Sequence, residues 1–146
     1  MKRPNLSLVS LTVALFIMLS ALKSNAQTNH VFHVNTMYMA PNIDSAERAD
    51  CLAALKEYMA KVTMKNTYVI HQTQMVHFFS EDSREFVTVT EYGSWGDIEK
   101  AFAQDEELEK QAWPDAQKRE AFLKKISRCF THHKDAIYNG LPGLTK

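Results

Sequence analysis

The sequence lacks the features that mark several common functional classes. It has two cysteines and four glycines in 146 residues, and it contains no CxxC pair, no Gly-rich phosphate loop and no nucleophile elbow. Its 17 basic and 17 acidic residues balance, so the basic excess of a nucleic-acid-binding domain is missing. No low-complexity tract and no repeat of solenoid period is visible. These absences exclude a nucleotide fingerprint and predict no nucleic-acid partner.

The first 26 residues have the pattern of a secretory signal peptide. A basic start precedes an apolar run over residues 6–22, and Ser24 and Ala26 place small residues at a cleavage site. The alternative is a single membrane anchor, for which the run is barely long enough. We expect cleavage before Gln27, a periplasmic or secreted protein, and no membrane association afterwards. Residues 27–146 then form a single domain with a net charge of −3, because 14 basic residues face 17 acidic ones.

The first half of the mature chain predicts a strand, a helix and a β-hairpin. Asp44 and Glu47 have the spacing of a capping box, and an apolar stripe at helical spacing continues to about Val62. The hairpin is indicated by a polar turn between two runs of β-forming residues. The predicted strands are His30–Met39, Thr67–Phe79 and Glu85–Tyr92.

The second half predicts helices and a short last strand. A helix begins near Trp95 or Asp97, and Trp113-Pro114 divides it from another helix whose buried side would end at Phe130. A short strand is expected over Ala136–Leu141. The order β-α-β-β-α(α)-β predicts a four-stranded antiparallel sheet with helices on one face. The strands are apolar on both sides, so we expect a second copy to cover the open face in a homodimer.

One segment carries a family resemblance. Phe86-Val-Thr-Val-Thr-Glu91-Tyr, followed by Trp95, Asp97, Glu99 and Ala101, resembles the dimeric α+β-barrel superfamily, whose fold is ferredoxin-like. That group includes antibiotic-biosynthesis-type and haem-degrading monooxygenases. Trp113-Pro-Asp115 and the segment 130–138 are similar to secreted proteins of unknown function from Bacteroidetes-like bacteria. The resemblance implies an α+β fold that closes into a barrel as a dimer.

The resemblance does not imply a cofactor. Haem-degrading members use a first-strand Asn, a Trp and a helical His that ligates iron. Asn35 and Trp95 match the first two, but Ala101, Phe102 and Ala103 occupy the region of the His. We therefore predict no cofactor.

The candidate site is a cavity at the C-terminal end of the third strand. There we expect Asn35, Tyr92 and Trp95 to bind a ligand, with His71 or Glu91 as the catalytic base. In the competing interpretation Trp95 only plugs the core and Glu91 pairs with a helical cation.

The faces of the hairpin depend on its register. If Ser80 opposes Glu85, then Gln74 opposes Glu91, and one face holds His71 with Thr88, Thr90 and Tyr92. The other face then holds Gln72 and Gln74 with Val87, Val89 and Glu91. The polar residues would either hydrogen-bond across a dimer interface or line a small cavity.

The histidines predict no metal site. His71 and His77 share a strand face but lie roughly 20 Å apart at the rise of an extended strand. His132, His133 and Asp135 are close in sequence near a predicted helix end, where a solvated terminus is the simpler interpretation.

Cys51 and Cys129 are the only cysteines, in a compartment that permits disulfides. Antiparallel helices would bring them close, and both a disulfide and two buried thiols stay open.

Three functions remain open. The leading hypothesis is a secreted homodimer that binds a small apolar or aromatic molecule between sheet and helices. The first alternative is a cofactor-independent monooxygenase or lyase. The second is a structural or interaction dimer without a ligand. The volume of the cavity separates the last from the others.

Overall fold

The computed structural model describes residues 29–79 and 81–141. The predicted signal peptide lies outside the described residues. The elements, in chain order, are β1 (Val31–Met39), α1 (Ser45–Lys61), a 3₁₀ turn (Thr63–Lys65), β2 (Val69–Val76), β3 (Glu85–Tyr92), α2 (Trp95–Ala112), α3 (Ala116–Arg128) and β4 (Phe130–Asn139).

Helix boundaries follow local hydrogen bonding. The Asp44 carboxylate accepts from the Glu47 backbone N–H at 2.8 Å, and the Glu47 carboxylate accepts from the Asp44 N–H at 3.1 Å. This is the predicted capping box. Asp115 caps α3 in the same way by accepting from the Lys118 N–H at 3.0 Å. Pro114 lies in the gap between α2 and α3, where its missing N–H breaks no helical bond.

The four strands form one antiparallel sheet in the order β2-β3-β1-β4. Helices lie against one face, which we call the covered face. On the two central strands it carries Val31, His33, Asn35, Met37, Phe86, Thr88, Thr90 and Tyr92. The opposite, open face carries Phe32, Val34, Thr36, Tyr38, Glu85, Val87, Val89 and Glu91. The predicted α+β, ferredoxin-like arrangement is confirmed.

The predicted hairpin register is wrong. Gln74 lies opposite Thr88, and His71 lies opposite Glu91, so the pairing is offset by an odd number of residues from the expected one. An odd offset exchanges the two faces of a strand. Gln72 and Gln74 therefore share the covered face with Thr90 and Thr88, while His71 shares the open face with Glu91. The strand also ends earlier than predicted, at Val76.

The last strand begins earlier than predicted. β4 starts at Phe130 and pairs along the whole of β1, so His132, His133 and Asp135 lie on a strand and not at a helix end. Phe130 accordingly belongs to the sheet and not to the buried side of α3. Helix α3 ends at Arg128, with Lys125 and Arg128 in the last turn, where cations favour the helix dipole.

Two small hydrophobic clusters hold the helices on the sheet. One contains Val31, Tyr92, Ile98 and Ala101 at the end of β3. The other contains Met39, Cys51 and Cys129, with Ile43 and Phe130 packed against it. A disulfide joins Cys51 to Cys129, which is one of the two alternatives that the sequence left open.

Within the parts of the chain that the structure describes, no helix has the length and apolar character needed to cross a membrane.

Candidate functional site

A cavity of about 480 Å³ lies between the covered face and the helices. Its floor includes the polar side chains of three neighbouring strands, because those strands present His33, Asn35, Gln72, Gln74, Thr88 and Thr90 on the same side. Its apolar lining consists of Met37, Leu55, Val69, Phe102, Leu123 and Ile126. The cavity is thus mostly apolar toward the helices and polar along the sheet.

A carboxylate-centred cluster lies at the β4 side of this floor. His33 Nε2 is 2.7 Å from Asp135 Oδ1, and Asn35 Nδ2 donates to the same oxygen at 2.7 Å. His133 Nε2 lies 3.1 Å from Asp135 Oδ2. The hydrogen bond from Asn35, together with the contact with His33, holds the pKa of Asp135 below its ordinary value. Asp135 therefore stays ionised and accepts hydrogen bonds at neutral pH.

The helical wall carries a second polar group of residues. Tyr58 donates from its hydroxyl to Glu109 Oε1 at 2.8 Å, and burial with that hydrogen bond raises the pKa of Tyr58 well above its ordinary value. Asn66 Nδ2 donates to Asp105 Oδ1 at 2.7 Å. Burial raises the pKa of Asp105, and Glu109 adds to the rise while the hydrogen bond from Asn66 opposes it.

Two of the predicted ligand-binding residues line this cavity. Asn35 lies on its floor, and Tyr92 lies at the end of β3. Burial raises the pKa of Tyr92, so its hydroxyl stays protonated at neutral pH.

The predicted catalytic residues lie elsewhere. Glu91 is on the open face, where its carboxylate forms a hydrogen bond with His30 Nδ1 and not with the expected helical cation. His71 is exposed on the same face, with Nε2 at 2.8 Å from Thr73 Oγ1. The expectation that both residues share one cavity with Asn35 and Tyr92 is wrong, because side chains alternate along each strand.

Trp95 does not contribute to the cavity lining either. It is the first residue of α2 and is 62% exposed, so it neither walls the cavity nor plugs the core. The position of Trp95 therefore does not support its predicted role in binding a ligand in this cavity.

The His33–Asp135 pair was not predicted from the sequence. His33 and Asn35 are two residues apart on a strand, which already places them on one face. The missing information was the start of β4. The basic last turn of α3 signals a helix end at Arg128, and that boundary would have freed His133 and Asp135 for the last strand, although not its pairing with β1.

Among the described residues, no group of three or more His, Cys, Asp or Glu side chains is arranged to hold a metal ion. No protein-family model and no curated protein matches the chain.

Solved structures resemble this one in fold at low sequence identity. A dimeric protein of unknown function with a ferredoxin-like fold from Bacteroides fragilis has a TM-score of 0.53 at 10% identity, covering 75% of this chain and 95% of that one. A mutant of SnoaB, a cofactor-independent oxygenase from Streptomyces nogalater, has a TM-score of 0.53 at 10% identity, covering 81% and 99%. A candidate antibiotic biosynthesis monooxygenase from Caulobacter crescentus has a TM-score of 0.54 at 10% identity, covering 78% and 92%. These matches confirm the predicted ferredoxin-like fold, and the fold alone does not fix a function.

Proposed function

We propose that the protein binds a small, mostly apolar molecule in the cavity between the sheet and the helices. The observation that carries the proposal is the cavity of about 480 Å³. Small-molecule sites have volumes of roughly 300–1,000 Å³ and combine an apolar lining with a few polar groups.

Native mass spectrometry of protein purified from its own host tests the proposal. A small molecule should travel with the wild-type protein. Leu123→Trp, which adds bulk to the cavity lining, should abolish this cargo. The matched control is Leu52→Trp, because Leu52 is a half-buried helical leucine outside the lining and should leave the cargo bound. An empty wild-type protein, or equal cargo in both variants, contradicts the proposal and favours a dimer without a ligand.

Catalysis in the same cavity is the second candidate function. Its support is the presence of titratable side chains in the lining, together with a fold shared with the oxygenase SnoaB. Oxygen uptake or product formation from an activated quinol, measured without added cofactor, tests it. Absence of turnover while a ligand still binds would leave the binding function alone.

We also propose that two identical chains associate through their open faces. The support is the apolar character of this uncovered surface, which carries Phe32, Val34, Val87 and Val89 in its centre. The structural neighbour from Bacteroides fragilis is described as dimeric. Light scattering at micromolar concentration should give the mass of a dimer.

Export is the last part of the proposal. The basic start, the apolar run and the small-residue site support it. The intact mass of exported protein should correspond to a chain that begins at Gln27, whereas retention of residues 1–26 in a membrane fraction would contradict cleavage.

A further inference from the structure

We propose that His33, positioned by Asp135, accepts a proton from the ligand of the cavity, and that this ligand is a neutral molecule with an acidic hydroxyl group. Activated phenols and enols belong to this class. The inference rests on the proposed binding function and adds to it the class of the ligand and the residue that recognises it.

Hydrogen bonding determines which nitrogen of His33 can act as a base. Asp135 is held ionised, and an ionised carboxylate only accepts hydrogen bonds. His33 Nε2, at 2.7 Å from Asp135 Oδ1, must therefore carry the hydrogen. Nδ1 of the neutral ring then has the lone pair that accepts a proton. A carboxylate that orients an imidazole and stabilises its charged form is a recurring arrangement in acid–base catalysis.

His33 has the right location for this role. It lies on the central strand β1, it lines the cavity, and its side chain is only 18% exposed. His133 contacts the same carboxylate, but its side chain is 63% exposed and it does not line the cavity. Of the two histidines on Asp135, His33 is therefore the one that a bound ligand can meet.

The charges of the lining favour a neutral acid over a preformed anion. No Lys or Arg occurs among the described residues that line the cavity, whereas Asp105 and Glu109 lie on its helical wall. An anion entering from solvent would meet carboxylates and no fixed cation. A neutral ligand avoids this repulsion, and proton transfer to His33 creates the matching cation beside it.

The proposed step balances without another reactant. The ligand O–H bond breaks, a bond forms between Nδ1 and the proton, and the electron pair stays on the ligand oxygen. The resulting imidazolium is paired with Asp135 on one side and with the ligand anion on the other. An imidazole is a far weaker base than an alkoxide, so it takes a proton only from an acidic hydroxyl such as that of an activated phenol or an enol. Aliphatic alcohols are thereby excluded.

The test uses 4-nitrophenol, whose anion alone is yellow, and 4-nitroanisole, which has the same ring without the acidic hydrogen. At pH 6, where free 4-nitrophenol is mostly neutral, the wild-type protein should bind it with the absorbance of the anion. The His33→Gln and Asp135→Asn variants should bind at least tenfold less 4-nitrophenol as its anion than the wild type does. The wild type and both variants should bind 4-nitroanisole with equal affinity. His133→Gln is the matched control and should keep the anion signal.

The titratable groups around His33 are Asp135 and His133 from β4 and, in the lining of the same cavity, Asp105 and Glu109 from α2, Tyr58 from α1 and Tyr92 from β3. The anion absorbance in excess of that of free 4-nitrophenol should therefore be measured from pH 5 to pH 8, and its loss in His33→Gln and Asp135→Asn, but not in His133→Gln, assigns the proton transfer to His33. If wild-type protein binds 4-nitrophenol in its neutral form, the inference is wrong and the binding function stands. If neither probe binds, both fail. Equal melting temperatures of the variants exclude a folding defect as the cause.

Discussion

The centres of the two faces of the sheet reverse the usual distribution of polarity. Beneath the helices, the middle of β1 and β3 presents His33, Asn35, Thr88 and Thr90, whereas the middle of the uncovered face presents Val34, Thr36, Val87 and Val89. Antiparallel sheets ordinarily pack an apolar face on the core and turn the polar face to water. This contrast supports the proposed ligand cavity on the covered face and the proposed association of two chains through the open face.

Two polar residues of the covered face are largely buried. Thr88 is 8% exposed and Thr90 is 6% exposed. Across residues 29–79 and 81–141, no buried side-chain nitrogen or oxygen lacks a hydrogen-bond partner. Burial of an unpaired polar group costs about 1–3 kcal/mol, so this pairing is required for the reversed face to be stable.

The largest expected effect comes from charging the open face. Val89→Glu places a carboxylate in the centre of the proposed interface, and two-fold symmetry places a second one in the partner. Desolvating unpaired charges costs several kcal/mol each, so association should weaken by roughly 5 kcal/mol or more. Light scattering at micromolar concentration should then report a monomer.

Val76→Glu is the matched control for this substitution. Val76 lies on β2 opposite Phe86, on the covered side of the sheet, and is 58% exposed. The same chemical change there should leave the dimer intact. A dimeric Val89→Glu protein would mean that the open face has another partner or none.

The second prediction concerns the covalent link between α1 and the C-terminal end of α3. The Cys51–Cys129 disulfide closes a segment with a sequence separation of 78 residues. Constraint of the unfolded chain by a loop of this length contributes about 4 kcal/mol in the entropic description. Replacing both cysteines by alanine should lower the free energy of unfolding by that order in urea titrations.

Reduction provides the control for this prediction. A reducing agent should destabilise the wild-type protein by a similar amount and leave the cysteine-free variant unchanged. The unfolded, unreduced wild-type protein should show no free thiols. Detection of two titratable thiols would show that the disulfide is absent. The predicted stability difference would then have no basis.

Elements with strong local signals could be predicted from the sequence. The capping box of Asp44 and Glu47 located α1, and alternating β-forming residues located β3 with the bounds Glu85–Tyr92. Asn35 and Tyr92 line the cavity because both lie on the covered face of the two central strands. Their faces depend on the alternation within each strand and on the β1–β3 pairing, which has no irregularity.

Features that depend on which residues of neighbouring strands lie opposite each other could not be predicted from local signals. The polar turn between β2 and β3 does not specify where pairing begins, and a bulge between Val69 and His71 shifts the register again. The face of His71 follows from where this pairing begins, whereas the face of Glu91 follows from alternation with Tyr92 along β3. The His33–Asp135 pair depends on residues 102 positions apart in sequence, so only the pairing of β1 with β4 reveals it.

The third prediction tests how the helical wall is held above the polar face. Asn66 is 5% exposed and donates to the Ala101 carbonyl at 2.8 Å and to Asp105 Oδ1 at 2.7 Å. Its own oxygen accepts from the Tyr68 N–H at 2.9 Å. Asn66→Ala leaves these groups without partners and should cost about 2 kcal/mol in the free energy of unfolding.

Asn42→Ala is the comparison for Asn66→Ala. Asn42 is exposed in the turn before α1, where substitutions usually change stability by no more than about 0.5 kcal/mol. Chemical denaturation of the two variants under the same conditions gives the difference. Equal stabilities would show that the hydrogen bonds of Asn66 do not support the helical wall.

The smallest expected effect is a pH dependence from the helical wall of the cavity. Burial raises the pKa of Asp105 in the folded protein, so the folded state binds its proton more tightly than the unfolded state does. Below the unfolded pKa, about 3.9, the group is neutral in both states and costs nothing. As the pH rises through the folded pKa, ionisation in the cavity wall destabilises the fold. Asp105→Asn keeps an acceptor for Asn66 and removes the charge, so it should raise the urea midpoint at pH 7 and leave it unchanged at pH 3.

Asp97→Asn should change stability in the opposite direction. Hydrogen bonds from Lys100 and Ser94 lower the pKa of Asp97, and the stabilisation that they give is lost as the pH falls through the folded pKa of Asp97. That variant should be less stable than the wild type at pH 7 and equal to it in strong acid. If Asp105→Asn instead lowers the stability at pH 7, the charge of Asp105 stabilises the helical wall. The wall then does not resemble the covered face of the sheet, where buried polar groups are neutral or paired.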